Sequence, residues 1–162
     1  MKFFVCILSF CSSITFADTL LVCVGDVNRC YIAQVVASEF LYHPSVARSL
    51  NGSFSPDVKA IDVLNNWNIQ ETGTVGQLND EALLKADLIL TMTKKEKEQL
   101  IRSYPRFSKK ISTLSECALG KNVDMASLDG KDFKTYEQSR DQIFDYEDMI
   151  SVKGWRCDAP NH

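Results

Sequence analysis

The hydrophobic positions of this chain fall into short runs separated by amphipathic stretches. Leu20, Leu21 and Val22 predict a buried strand, and Ile32 to Leu41 carries the apolar spacing of a helix. Val46 to Leu50 predicts a second strand, interrupted by Arg48. Ser55-Pro56 reads as an N-cap with proline at the first helical position, ahead of Val58, Ile61, Leu64 and Trp67 at helical spacing. Asn79 to Ala86 predicts a short helix and Leu88 to Thr91 a third strand. Thr93 and Glu96 form the pattern of a capping box that opens a charged helix through Tyr104, which Pro105 ends. Ile111 to Leu114 predicts a fourth strand, and Phe133, Tyr136, Ile143 and Ile150 give one apolar face to a long C-terminal helix. Alternating strands and helices imply an α/β fold of three layers, a four-stranded parallel sheet with helices on both faces. Ligands of such sheets sit beyond the carboxyl ends of the strands, where the loop after Val22 lies.

That loop carries the candidate chemistry. It runs Cys23-Val24-Gly25-Asp26-Val27-Asn28-Arg29-Cys30 between the first strand and the first helix. Backbone N–H groups of a loop feeding a helix start favour a tetrahedral anion, and a guanidinium there can clamp two of its oxygens. Arg29 is placed for that clamp, with Val24 to Asn28 and Cys30 as the phosphate-binding loop. Gly25 is expected to supply a positive φ for a tight turn. Cys23 faces the same positive field, which favours its thiolate and equips it to attack phosphorus. The leaving oxygen then needs a proton from a carboxylic acid elsewhere in the chain.

The first seventeen residues hold one charge, Lys2, then the apolar run Phe3 to Phe10, and end Thr15-Phe16-Ala17. This outline predicts a secretory signal peptide over 1–17, cleaved after Ala17, and a single domain over 18–162 that is secreted or periplasmic. No other stretch is long and apolar enough for a membrane span. Loss of Lys2 takes the net charge from −3 to −4, which offers no basic footprint for nucleic acid. Cys23, Cys30, Cys117 and Cys157 remain after cleavage and allow three disulfide pairings. A thiolate mechanism and an oxidising compartment pull against each other. His43 and His162 are the only histidines and neither has the spacing of a zinc site, so no metal or other cofactor is expected.

In this order of elements the chain resembles the low-molecular-weight protein tyrosine phosphatases across nearly all of its expected mature length. The segment LLVCVGDVNRCYIAQ is similar to that family's first strand, phosphate loop and helix, and SPDVKAIDVLNNWNI to the helix after its second strand. The most specific likeness is LLKADLILTMTKKEKEQLIRSYP, similar to the third strand and the helix that follows. The resemblance implies phosphomonoester hydrolysis through a phosphocysteine on Cys23, with Arg29 holding the phosphate of a phosphotyrosine protein or a small aryl phosphate. Phosphoarginine is a less favoured substrate, since relatives acting on it have threonine where Val27 stands.

Three departures from the family pattern bear on mechanism. Asp26 stands where the family has asparagine, and a carboxylate about 6 Å from the thiolate would repel it by roughly 3 kcal/mol at an effective dielectric of 20. Cys30 stands where a serine hydrogen-bonds the thiolate, and a thiol is the poorer donor. Ser127-Leu128 occupies the place of the family's Asp-Pro pair, which supplies the general acid. Asp129 is the first candidate to replace it, because Gly130 can bend the chain, and Asp124 is the alternative. Two functional classes follow: an exported phosphatase of reduced activity, and a catalytically degenerate phosphate-binding or interaction module. A third class, thiol redox chemistry of the arsenate-reductase kind, ranks lower because Cys117 and Cys157 are far apart in sequence; Cys23 and Cys30 could still form a regulatory disulfide.

Overall fold

A computed structural model describes residues 18–71 and 73–158; the predicted signal peptide lies outside them. Five strands form one parallel sheet: β1 (Thr19–Cys23), β2 (Ser45–Ser49), β3 (Gly76–Gln77), β4 (Leu88–Thr91) and β5 (Ile111–Thr113), in the order β3-β2-β1-β4-β5. The sheet therefore has five strands where the sequence predicts four. The addition is β3, a two-residue edge strand beside Arg48 and Ser49 that lacks any hydrophobic run. β1 lies centrally, with Leu20 paired between Val46 and Ile89. Every residue of β1 is buried, as expected for a strand covered on both faces.

Among the described residues six α-helices cover the sheet: α1 (Val27–Val35), α2 (Val58–Asn65), α3 (Asp80–Lys85), α4 (Lys94–Ser103), α5 (Leu114–Leu119) and α6 (Phe133–Val152). The pleat of β1 sends Leu21 and Cys23 into a large core shared with α1, α2, α5 and α6, and Leu20 and Val22 into a smaller core with Leu83, Leu100 and Phe107 on the other face. Tyr136, Ile143 and Ile150 of α6 are buried in the larger core, as their spacing predicts.

Two helix starts differ from expectation for a definite reason. α1 begins five residues before Ile32, because Asp26 caps it by accepting the Asn28 N–H at 2.9 Å; a wide π-turn over Val36–Phe40 completes the predicted span. α2 is capped by Asp57 rather than Ser55, since the Asp57 carboxylate accepts the Ala60 N–H at 3.0 Å. Its buried face is Ala60, Val63 and Leu64, whereas Val58 is exposed. Thr93 does cap α4, but the Glu96 carboxylate bonds the Met92 N–H, the Thr93 hydroxyl and Arg29 instead of the Thr93 N–H that would complete a capping box. The complete capping box is Thr113 with Glu116 at α5.

Candidate active site

Cys23 ends β1 and Cys30 lies in the second turn of α1, so strand and helix bring the two cysteines together across a closed loop. Their Cα atoms are 6.0 Å apart and their sulfurs are bonded; Cys117 and Cys157 form the second disulfide, with Cα atoms 4.4 Å apart. Of the three possible pairings this is the one adopted. The second bond ties the C-terminal segment to α5, so the sequence distance between Cys117 and Cys157 is closed by the fold. Gly25 does not need the positive φ expected of it: the glycines in that region are Gly52, Gly120, Gly130 and Gly154.

Arg29 is 4 % exposed and points inward, one Nη donating to the Met125 carbonyl at 2.5 Å and the other to Glu96 Oε1 at 3.3 Å. Its Nε lies 3.3 Å from Asp26 Oδ2. Glu96 is itself braced, its Oε2 accepting from the Met92 N–H at 3.2 Å and the Thr93 hydroxyl at 3.3 Å. The guanidinium is thus held between two carboxylates and a carbonyl, with the Asn28 N–H occupied by Asp26. In this disulfide form the Arg29 guanidinium and the Asn28 N–H serve internal partners.

Asp26 is neither turned outward nor left uncompensated. It is 4 % exposed; its Oδ1 caps α1, and its Oδ2 accepts the Leu128 N–H at 2.6 Å and the Ser127 hydroxyl at 3.3 Å beside the Arg29 guanidinium. The repulsion expected of a bare carboxylate is therefore offset by one cation and three donors. Asn28 braces the other side of the loop. Its Oδ1 accepts the Asp57 N–H at 2.9 Å, and its amide donates to Asp57 Oδ2 at 3.2 Å and to the Tyr136 hydroxyl at 3.3 Å. The Tyr136 hydroxyl also donates to Asp57, and burial with that contact raises its pKa.

The two candidate acids separate clearly. Asp124 is committed to structure, accepting the Lys94 N–H and the Asn122 amide at 2.8 Å each, and these bonds hold its carboxyl below the usual range. Asp129 follows Leu128 directly and, among the described residues, makes only a backbone bond, from its N–H to the Ser127 hydroxyl at 3.3 Å. Partial burial, then the nearby charges of Asp26 and Asp57, push its carboxyl upward, with Arg29 opposing. A carboxyl held toward its protonated form suits a proton donor. Gly130 adopts φ +70°, the bend that turns the chain after it.

Glu96, Asn28 and Tyr136 were not legible as a group, because they come from three distant segments. Asn28 is one of the residues expected in the phosphate-binding loop, and Glu96 opens the helix after β4, at the carboxyl end of the sheet where ligands of such folds bind. Phe54 is 43 % exposed and bridges Val75, which precedes β3. The groove along the β5 edge, about 1330 Å³ and lined by Lys97, Lys110 and Glu116, lies away from Cys23.

Residues 18–151 match the family model for low molecular weight phosphotyrosine protein phosphatase. The chain belongs to that family. A low molecular weight protein-tyrosine-phosphatase, PtpB of Staphylococcus epidermidis, is 30 % identical over 139 residues, 83 % of this chain and 96 % of the relative. A protein-arginine-phosphatase of Bacillus subtilis is 26 % identical over 133 residues, 78 % of this chain and 89 % of that protein. Among solved structures, the YwlE arginine phosphatase of Geobacillus stearothermophilus superposes with a TM-score of 0.77 at 24 % identity, over 85 % of this chain and 92 % of that one. Family membership makes this chain a phosphatase-like hydrolase on the low-molecular-weight phosphatase fold.

Proposed function

We propose that this family member is an exported phosphatase that hydrolyses phosphotyrosine or a small aryl phosphate through a phosphocysteine on Cys23, and that only its reduced form does so. The reading is supported by Asp26, three residues after the end of β1 at Cys23, which contacts both Arg29 at 3.3 Å and the Leu128 N–H of the 127–129 loop at 2.6 Å. A thiol reductant first converts the Cys23–Cys30 disulfide to two thiols, itself becoming a disulfide. The Cys23 thiolate then attacks phosphorus, the bond from phosphorus to the leaving oxygen breaks, and Asp129 gives that oxygen its proton. Asp129 next takes a proton from water as the water attacks the phosphocysteine, which releases phosphate and the thiolate. In this account Arg29 rotates from Met125 toward the phosphate while Glu96 keeps hold of one Nη.

Two disulfides agree with export into an oxidising compartment. Both protein-tyrosine and protein-arginine phosphatases are among the relatives, and the apolar Val27 in the loop supports an aryl phosphate over a phosphoguanidine. The test is hydrolysis of an aryl phosphate and of phosphoarginine by the reduced protein beside its Cys23→Ser variant. Cys23-dependent turnover of the aryl ester is expected, while activity confined to phosphoarginine, or none from the reduced protein, refutes the assignment. Residues 1–17 are tested by fusing them to a reporter active only outside the cytoplasm.

A further inference from the structure

Two departures from the family pattern meet in one hydrogen bond. Leu128 stands where the resemblance places proline, and its N–H donates to Asp26 Oδ2 at 2.6 Å. Proline has no N–H to give, so the bond requires this substitution. Asp26 stands where asparagine is expected, and its carboxylate accepts three protein donors at once: the Asn28 N–H, the Leu128 N–H and the Ser127 hydroxyl. An amide oxygen alone has two lone pairs, whereas a carboxylate offers about four acceptor sites. The Ser127 hydroxyl continues the chain by accepting the Asp129 N–H at 3.3 Å. Leu128 is fully buried, which anchors the loop, and Gly130 bends the backbone away.

We infer that Asp26 is a positioning residue, a clasp that fastens the 127–130 loop to the phosphate loop and keeps Asp129 beside it as the proton donor. This inference rests on the phosphatase reading above. None of the clasp's bonds involves a cysteine sulfur, so reduction leaves them intact. The groups facing Asp129 are Asp26 and Arg29 at the start of α1, Asp57 at the start of α2 and Tyr136 of α6. Lys59 of α2 bonds the Lys131 carbonyl just beyond. Asp26 thus acts on Asp129 twice, through the loop it holds and through its charge, which favours the protonated carboxyl.

The experiment compares reduced wild type, Asp26→Asn, Asp129→Asn and the double variant, using nitrophenyl phosphate, whose leaving group needs little protonation, and phenyl phosphate, which needs more. Asparagine is as good an N-cap as aspartate, so α1 is retained, and thermal unfolding verifies the fold. Asp129→Asn is expected to slow phenyl phosphate about 10²-fold and to abolish the basic limb of the pH profile. Asp26→Asn is expected to move that limb to lower pH and to slow phenyl phosphate more than nitrophenyl phosphate. In the Asp129→Asn background it should change neither property further. The inference is overturned if Asp26→Asn leaves limb and leaving-group dependence unchanged, or alters them equally without Asp129. Leu128→Pro removes the donor while keeping the Asp26 charge; if it folds, unchanged phenyl phosphate turnover also overturns the clasp. Inactive wild type would instead sink the phosphatase reading itself.

Discussion

Cys30→Ser separates the two roles that Cys30 has in this account. The variant cannot form the bond to Cys23, and it restores the hydroxyl that the family resemblance places after the arginine. Closing the loop of sequence separation 7 is worth about 2 kcal/mol of stability on the loop-entropy model, so the variant should lose roughly that much relative to the oxidised protein. In exchange, a hydroxyl bonded to a thiolate is worth about 1.5–3 kcal/mol, which corresponds to roughly 10- to 100-fold more thiolate at a fixed acidic pH. Two assays read these effects. Aryl phosphate hydrolysis without reductant should be absent in wild type and present in Cys30→Ser. Alkylation of Cys23 by iodoacetamide at mildly acidic pH should be faster in the variant than in reduced wild type. An inactive variant without reductant, while reduced wild type turns over, would refute the claim that this disulfide is what silences the enzyme.

Three other outcomes follow from the same geometry. Glu96→Gln removes one of the two carboxylates that hold Arg29, and should raise KM for an aryl phosphate about tenfold with a smaller change in kcat, in steady-state kinetics of the reduced protein. Cys117→Ser with Cys157→Ser opens a loop of sequence separation 40 and should cost about 4 kcal/mol in urea unfolding, with aryl phosphatase activity retained below the transition. Glu147 is fully buried with neither oxygen bonded among the described residues, and burial raises its carboxyl pKa. Its folded pKa exceeds its unfolded one, so its contribution is full below the unfolded pKa and is lost as pH rises through the folded pKa. Glu147→Gln should therefore flatten the decline of stability with rising pH, measured as urea midpoints from pH 4 to pH 8; an unchanged slope would contradict the burial argument.

The scaffold was legible where local pattern alone decides structure. Leu20-Leu21-Val22 marked β1, Leu88 to Thr91 marked β4, and the spacing of Tyr136, Ile143 and Ile150 marked the buried face of α6. β3 was invisible because Gly76 and Gln77 owe their strand conformation to pairing with Arg48 and Ser49, not to side chains that seek burial. Ser55 and Asp57 both fit an N-cap by type, and the choice fell to Asp57, whose backbone and carboxylate also meet Asn28 at the start of α1. The sequence likewise made Asp26 look like a defect. Its partner Leu128 is a buried N–H 102 positions away, and only the fold brings that donor within 2.6 Å. Cys117 and Cys157 were separable from the other pair only once α5 and the end of α6 lay together.

The most direct test of the central claim is to quench the reduced protein with acid during aryl phosphate turnover and map covalent phosphate by mass spectrometry. Phosphate is expected on the peptide carrying Cys23, absent without reductant and absent in Cys23→Ser. Turnover that persists in Cys23→Ser, or a reduced protein that turns over with no phosphate on Cys23, would contradict it.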